Sequence, residues 1–503
     1  MHIKMKILLQ KISKLLFLLI NLFPQSIQNK NKNINIEKRT LLQDGRDEIY
    51  RPQIHFTPFK NWMNDPNGMV FFDGVYHLYF QHNPKGDKWG NMSWGHATSS
   101  DLIHWEEQPV AISPNDLGTI FSGSCIIDKE NTAGYGENIL FAIYTVCGSE
   151  IQQQSIAYSL DKGQTFTDYP GNPVIPNDDD NLRDPKVFWH EQSKKWIMVL
   201  AKGWLKGVEI YSSKNLKTWV HLSTFSVELP DMPKFQWECP ELLEFDYKNT
   251  KKWVLLVSVN PRSKLLGSGT MYFIGNFNGT TFTADPLNYP IWLDYGMDNY
   301  AGVTFSNTGN RKILIGWMNN WLYGEDIPCS PWRSAMTLPR ELKLIEFEDK
   351  PLLTNTVVEE IEQIAGSWKR VTDEFEPGVA YQLKIQINLD KDSVIALKNK
   401  EGQRFVFEIN ASSKKLIAYR NGSTGKSDFN GNFVIPSLEA PLNVFGHTVT
   451  LDFFVDQSSV EILTENGSMS MTNIVFPSSI YNVLSVEGAY FTAQIRQLRS
   501  IWN

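Results

Sequence analysis

The carboxyl groups best placed to do chemistry in this chain sit in short polar signatures, each followed by an apolar strand. The first signature is Trp62-Met63-Asn64-Asp65-Pro66-Asn67-Gly68. Its proline biases Asp65 toward an extended backbone and so fixes the direction of the carboxylate. Asn67-Gly68 is then expected to turn tightly into a strand over 69–72. Alone, such a cluster reads equally as an ordinary loop. Its weight comes from recurrence: Phe121-Ser122-Gly123-Ser124, Arg183-Asp184-Pro185, Glu238-Cys239-Pro240 and Asp298-Asn299-Tyr300-Ala301 each lead into an apolar strand, a turn and a second strand. Asp184 and Glu238 thereby join Asp65 as carboxylates in equivalent places.

The elements that must position them follow from the spacing. The signatures start roughly every 54 to 62 residues, within range of a four-stranded propeller blade with its loops. A second repeat runs out of phase: Ser100-Asp101-Leu102-Ile103-His104-Trp105 resembles Ser213-Lys214-Asn215-Leu216-Lys217-Thr218-Trp219, as expected of turns between outer strands. Asp161-Lys162-Gly163 before Phe166 and Asn278-Gly279 before Phe282 end similarly. Five such units closing into a ring would line the axis with their first strands. Asp65, Asp184 and Glu238 would then face one another at one end. The propeller is expected to end near Ile345, with 357–364 reading as a short amphipathic linker helix. Alternating stretches over 381–389, 405–409, 449–455 and 460–463, separated by Asn/Gly/Asp turns, read as a β-sandwich. The expected fold is therefore all-β, a five-bladed β-propeller (49–345), a linker (346–365) and a C-terminal β-sandwich (366–503).

Composition bounds the function. The 503 residues exceed a usual single domain, and 42% hydrophobic with 13% aromatic residues suffices for a large core. A net charge of -7 and the lack of a basic stripe beyond the N-terminus argue against nucleic acid. Lys4, Lys6, Lys11 and Lys14 precede an apolar run over 15–23 and then Pro24-Gln25-Ser26. This reads as a secretory signal peptide over 1–26, too short to span a bilayer, so no membrane anchor is expected. Residues 27–48 read as a disordered linker or pro-segment containing the basic pair Lys38-Arg39. Cys125, Cys147, Cys239 and Cys329 are too widely spaced for a metal site, and the spacing leaves a Cys125–Cys147 disulfide open. Asp178-Asp179-Asp180 lacks the pattern of a calcium loop and reads as a solvated turn. Asn-x-Ser/Thr sites at Asn91, Asn278, Asn410, Asn421 and Asn466 fit a secreted protein.

The ordered set of signatures resembles glycoside hydrolase family 32, which contains invertases, levanases and exo-inulinases. Further matching stretches are Trp89-Gly90-Asn91-Met92-Ser93-Trp94-Gly95-His96-Ala97 and Ser330-Pro331-Trp332-Arg333-Ser334-Ala335-Met336-Thr337-Leu338-Pro339-Arg340-Glu341-Leu342, and the similarity runs from Tyr50 onward. The resemblance implies a secreted retaining enzyme that needs no cofactor or metal and releases terminal β-D-fructofuranosyl units from sucrose, inulin or levan. It implies Asp65 as nucleophile, Glu238 as acid/base and Asp184 as stabiliser of the transition state. Substrate binding would fall to Trp62, Asn64, Gln81, Trp89, Phe121, Ser122, Arg183 and Trp317, with Tyr300 and Trp321 as secondary candidates. Such a site needs two carboxyl groups across the glycosidic bond, one attacking and one protonating the leaving oxygen, and polar groups plus aromatic walls around the sugar. A Trp89 wall implies a closed, exo-acting pocket. Arg183 and Asp184 are adjacent, so both reach one sugar only if the strand bends there. The competing readings are a structural Arg183–Asp184 pair, a non-catalytic sugar-binding propeller and a five-bladed hydrolase of another sugar. The choice among the three substrates and any homo-oligomer stay open.

Overall fold

The computed structural model describes residues 46–177, 181–229, 235–262 and 266–502. The expected leader (1–26), most of the 27–48 segment with Lys38-Arg39, and the Asp178-Asp179-Asp180 turn lie outside these residues.

Five antiparallel sheets follow one another along the chain, each a meander of four principal strands. Blade one comprises Asn61–Phe72, Val75–Asn83, Ser93–Ser99 and Glu106–Ile112, and blade two Thr119–Asp128, Ile139–Gly148, Ile151–Ser159 and Thr167–Asp168. Blade three comprises Leu182–His190, Lys195–Lys202, Gly207–Ser213 and Val220–Ser226. Blade four comprises Gln236–Tyr247, Thr250–Asn260, Gly269–Phe277 and Phe282–Ala284, and blade five Tyr300–Thr304, Ile313–Met318, Arg340–Phe347 and Lys350–Val357. Each first strand lies against the next, and that of blade five lies back against that of blade one. The join is made by backbone bonds, Ser306 N–H to Met69 O at 2.9 Å and Phe71 N–H to Ser306 O at 3.0 Å. The second strands of blades two to five carry apolar runs without alternation, as in 253–257, because each is covered on both faces by neighbouring blades. Ile197, Val199 and Ile210 of blade three, for example, share a core with Trp237, Leu255 and Phe273 of blade four.

The out-of-phase repeat has one geometry in both copies. Asp101 Oδ1 accepts the N–H groups of Ile103 and His104 at 3.0 and 2.8 Å, and Asn215 Oδ1 those of Lys217 and Thr218 at 3.1 and 2.9 Å. Trp105 and Trp219 then donate from Nε1 to the Leu102 and Leu216 carbonyls at 2.9 and 2.8 Å. A short Asx side chain bonding its own turn explains why only Asp or Asn recurs there.

Three expectations are corrected. Asp65-Pro66-Asn67-Gly68 is no turn: the strand Asn61–Phe72 runs through it, with pairing slips between Met63 and Pro66 and between Asn67 and Val70. Turn-forming residues here build bulges instead. Gly68 is required, at φ 52°, because a Cβ would lie 2.6 Å from the Trp94 ring and 2.7 Å from Tyr79. The propeller boundary near Ile345 falls inside blade five, whose outer strand Lys350–Val357 pairs with Arg340–Phe347; the charged 348–350 turn imitated a domain edge. The linker helix is a short 3-10 segment, Glu359–Gln363, whose three-residue period buries Val358, Ile361 and Ile364 on one face.

The C-terminal part is two facing sheets. One carries Lys369–Arg370, Phe491–Leu498, Ala380–Asn388, Thr448–Val455, Ser459–Thr464 and Ser470–Ile474 in that order. The other carries Leu438–Pro441, Lys415–Tyr419, Arg404–Asn410, Ser393–Lys398 and Val483–Glu487. Alternate residues such as Leu383, Ile385 and Ile387 meet Phe405, Phe407 and Leu451 between them. This sandwich is locked to the propeller by buried charges. His55 bonds Asp456 and Glu461, both at 2.7 Å, while Arg340 bonds Asp294 at 3.0 Å and also Glu461. Arg420 reaches across to Asp298 at 2.6 Å and to the Tyr323 hydroxyl at 2.8 Å.

Two outcomes follow. Removing one partner of a buried pair leaves the other charge uncompensated, so Arg420→Ala should cost about 3–5 kcal/mol in denaturant unfolding, and a chain cut after residue 360 should be insoluble; a soluble, fully active truncation would contradict this interface. Burial alone would lower the His55 pKa, but Asp456 and Glu461 outweigh it and raise it to about 9. A raised histidine stabilises fully below its unfolded value of 6.5 and loses that contribution as pH rises through about 9. Wild-type melting temperature should therefore decline over this window more steeply than that of His55→Gln.

Candidate active site

The carboxylates lie at the starting ends of the axial strands, and every one of those strands is irregular where its signature falls. Pairing slips occur between Met63 and Pro66, Ile120 and Gly123, Glu238 and Glu241, and Tyr300 and Val303, and opposite residues 183–186 between Val199 and Ala201. Left-handed backbone marks four of the five: Gly68 (φ 52°), Asp184 (62°), Cys239 (45°) and Ala301 (52°). A bulge adds a residue to one strand and re-aims the side chains beside it. This supplies the bend that lets Arg183 and Asp184, though adjacent, both face the axis.

Their bonds fix three carboxyl groups in one pocket. Asp65 accepts from Asn64 Nδ2 at 2.9 Å through Oδ1 and from the Ser122 hydroxyl at 2.7 Å through Oδ2. Asp184 Oδ2 accepts the Cys239 N–H at 2.9 Å, and the Cys239 sulfur lies 3.6 Å from both Asp65 and Asp184. Glu238 Oε1 accepts from Arg183 Nε and Nη2 at 3.2 and 3.0 Å, and its Oε2 accepts from the Tyr300 hydroxyl. Arg183 is itself held through Nη1 by Asn181 at 3.0 Å and Gln152 at 3.2 Å. Cys239 is a buried free thiol, as is Cys125; Cys147 is also free and half-buried, so no Cys125–Cys147 disulfide forms.

The cavity around them holds about 480 Å³. Of the expected binding residues, Asn64, Gln81, Trp89, Phe121, Ser122 and Arg183 line it. Trp62 and Trp317 do not; both are fully buried behind the wall. Trp62 donates from Nε1 to Asn64 Oδ1 at 2.8 Å, and Trp317 to the Met63 carbonyl at 3.1 Å. Both rings back Trp321, at 5.9 and 4.8 Å between centroids, and Trp321 is the residue that reaches the pocket. The two buried indoles orient the groups in front of them instead of meeting a ligand. The sequence reading missed Gln152, Gln236, Asn260, Glu150 and Cys147 in the lining. Gln236 had a signal: it lies two residues before Glu238 and so shares its strand face, and Asn260 pairs opposite it. A second cavity, about 440 Å³, opens at the far ends of the axial strands. Of its buried charges, Lys186 and Glu241 are paired at 2.6 Å and Asp128 is taken up by the Thr132 and Ala133 N–H groups at 2.9 and 2.8 Å, so the acid–base chemistry belongs to the first.

Electrostatically the pocket retains a proton. Burial raises the Asp65 pKa and the Glu238 charge adds to it, against the bonds from Ser122 and Asn64. Burial likewise raises Asp184; Arg183 opposes, Glu238 and Asp65 reinforce, and the result is about 7. Burial and Glu238 push Tyr300 well above its ordinary value, so it stays a donor. Asp65 and Asp184 therefore both hold their protons to higher pH than exposed carboxyl groups do. Such a cluster can supply an acid and an ionised nucleophile together near neutral pH.

Comparison with known proteins finds one family along nearly the whole described chain. The model of the glycosyl hydrolases family 32 N-terminal domain matches residues 55–356, and that of the family 32 C-terminal domain residues 353–499. A levanase from Bacillus subtilis is 43% identical over 91% of this chain and 72% of its own. An extracellular exo-inulinase from Aspergillus niger is 38% identical over 91% of this chain and 96% of its own. The crystal structure of exo-inulinase from Aspergillus awamori superimposes with a TM-score of 0.84 at 36% identity, covering 91% of this chain and all of that one.

The proton count predicts a stability effect. An exposed aspartate releases its proton near 3.8, whereas Asp184 in the fold holds it to about 7, so the folded state binds the extra proton and stability falls as pH rises through that window. Asp184→Asn removes the charge and keeps an oxygen for the Cys239 N–H. Its melting temperature should exceed that of wild type by more at pH 8 than at pH 4.5; a gap that does not widen with pH would contradict the shared burial of charge.

Proposed function

The chain belongs to glycoside hydrolase family 32, and on that premise we propose that it is a secreted, retaining β-fructofuranosidase in which Asp65 attacks, Glu238 shuttles the proton and Asp184 stabilises the transition state. The observation that carries this reading is the convergence of three bonded carboxyl groups in one aromatic-walled pocket.

An Asp65 oxygen attacks the anomeric carbon of a terminal fructofuranosyl unit while Glu238 gives its proton to the departing glycosidic oxygen; the carbon–oxygen bond breaks and a fructosyl ester forms. Glu238, now a carboxylate, takes a proton from water as that water attacks the anomeric carbon from the face the leaving group vacated; the bond to the Asp65 oxygen breaks and the carboxylate is freed. Fructose leaves with its configuration kept and Glu238 regains its proton. Asn64 and Ser122 occupy one lone pair of each Asp65 oxygen and so fix its aim. Arg183 and Tyr300 hold Glu238, and Asp184, in its ionised form, offers negative charge to the cationic sugar as the bond breaks.

Sucrose fits because its fructosyl unit is terminal, and inulin and levan fit through their chain ends. Trp89, in edge contact with Phe121 at 6.0 Å, supports a closed wall and hence exo action. Secretion is supported by the apolar run over 15–23 and by the extracellular exo-inulinase relatives.

Glu238→Ala should lower turnover on sucrose by about 10²–10⁴-fold, spare a fructoside whose leaving group needs no proton, and respond to added azide. Equal damage on both substrates would remove Glu238 from the acid's role. Early in inulin digestion, chromatography should show fructose alone; a ladder of oligosaccharides would mean an endo-acting groove.

A further inference from the structure

Two of the sixteen tryptophans are exposed, Trp89 at 46% and Trp204 at 61%. Trp89 walls the pocket, but nothing so far accounts for Trp204. It lies in the 3-10 turn Gly203–Leu205, which joins the second and third strands of blade three at the end of the blade where the axial strand begins. The glycine before it fixes its place. A Cβ on Gly203 would fall 2.3 Å from Asn181 Oδ1 and 3.0 Å from Gln236 Cγ, and the Gly203 N–H donates to the Asn181 carbonyl at 3.3 Å. Asn181 holds Arg183, and Gln236 lines the pocket on the same strand face as Glu238. The turn is anchored on its other side by Lys206, left-handed at φ 50°, whose ammonium lies 4.9 Å from the Phe235 ring centre. Trp204 therefore stands just outside the lining, on the side of the pocket where the acid sits.

That side is where a leaving group departs, since the acid must touch the leaving oxygen. An indole and the neighbouring Leu205, itself 70% exposed, present adjacent apolar surface to water next to this exit. A chain of furanose rings offers the matching apolar C–H faces.

We propose that Trp204 is a stacking platform for the remainder of a fructan chain, engaging a sugar beyond the one attached to the cleaved bond; this rests on the reading of Glu238 as the acid. Sucrose ends at its glucose and does not extend past the lining. A fructan continues over Gln236 toward the indole. Trp204 is thus a specificity-determining residue that favours polymer over disaccharide without touching the reacting atoms.

The test compares wild type, Trp204→Ala and Trp204→Phe, all full-length, on sucrose and on long-chain inulin. Trp204→Ala should raise KM for inulin by roughly tenfold while kcat on inulin and both constants on sucrose stay near wild type, and Trp204→Phe should restore most of the loss. An unchanged ratio of inulin to sucrose efficiency, or an equal loss on both, overturns the platform. If wild type splits sucrose but not inulin, the platform alone falls; if it splits neither, the proposed function falls with it.

Discussion

Three carboxyl groups in one desolvated pocket repel one another, and most of the structure around the axis answers that repulsion. Each extra negative charge in a low-dielectric site is costly unless a donor or cation meets it. Arg183 meets Glu238, the Cys239 N–H meets Asp184, and Ser122 with Asn64 meets Asp65. The donors come from four blades, so no single blade could hold the set. What donors do not offset, a retained proton does, through the upward shifts of Asp65 and Asp184. The feature that strains the fold is therefore the one that keeps an acid and a nucleophile side by side.

The backbone makes this possible by breaking its own regularity five times. A regular axial strand would send adjacent side chains to opposite faces. Bulges at each signature turn them toward one end of the axis, and the left-handed residues Asp184, Cys239 and Ala301 carry the local strain. The apolar second strands, packed from both sides, supply the rigidity that holds these irregular segments in place.

The sequence made the repeat, the all-β class and the three carboxylates legible, because signature, strand and turn recur at blade spacing. It misled where local chemistry has two uses. Asp-Pro-Asn-Gly closes turns and also builds bulges. Trp62 sits in a signature and Trp317 on the second strand of blade five, yet both lie behind the pocket, and only the packing of Trp321 on them shows which indole faces the cavity. The edge of blade five was hidden by a charged turn. The interface network was out of reach altogether, since His55 and Glu461 lie 406 positions apart; its one local trace is a charged Glu461 inside the apolar strand Ser459–Thr464.

The sandwich takes no part in the pocket, yet its carboxylates satisfy His55 and Arg340 beside the strands that carry it. Stability at the interface and chemistry on the axis are thus separate uses of buried charge in one chain. The central claim is that Asp65 forms a bond to the sugar. The most direct measurement is to treat the full-length enzyme with a mechanism-based fructoside, digest it and locate the label by mass spectrometry. The account predicts a single label on the peptide carrying Asp65. A label on Asp184 or Glu238 would contradict it.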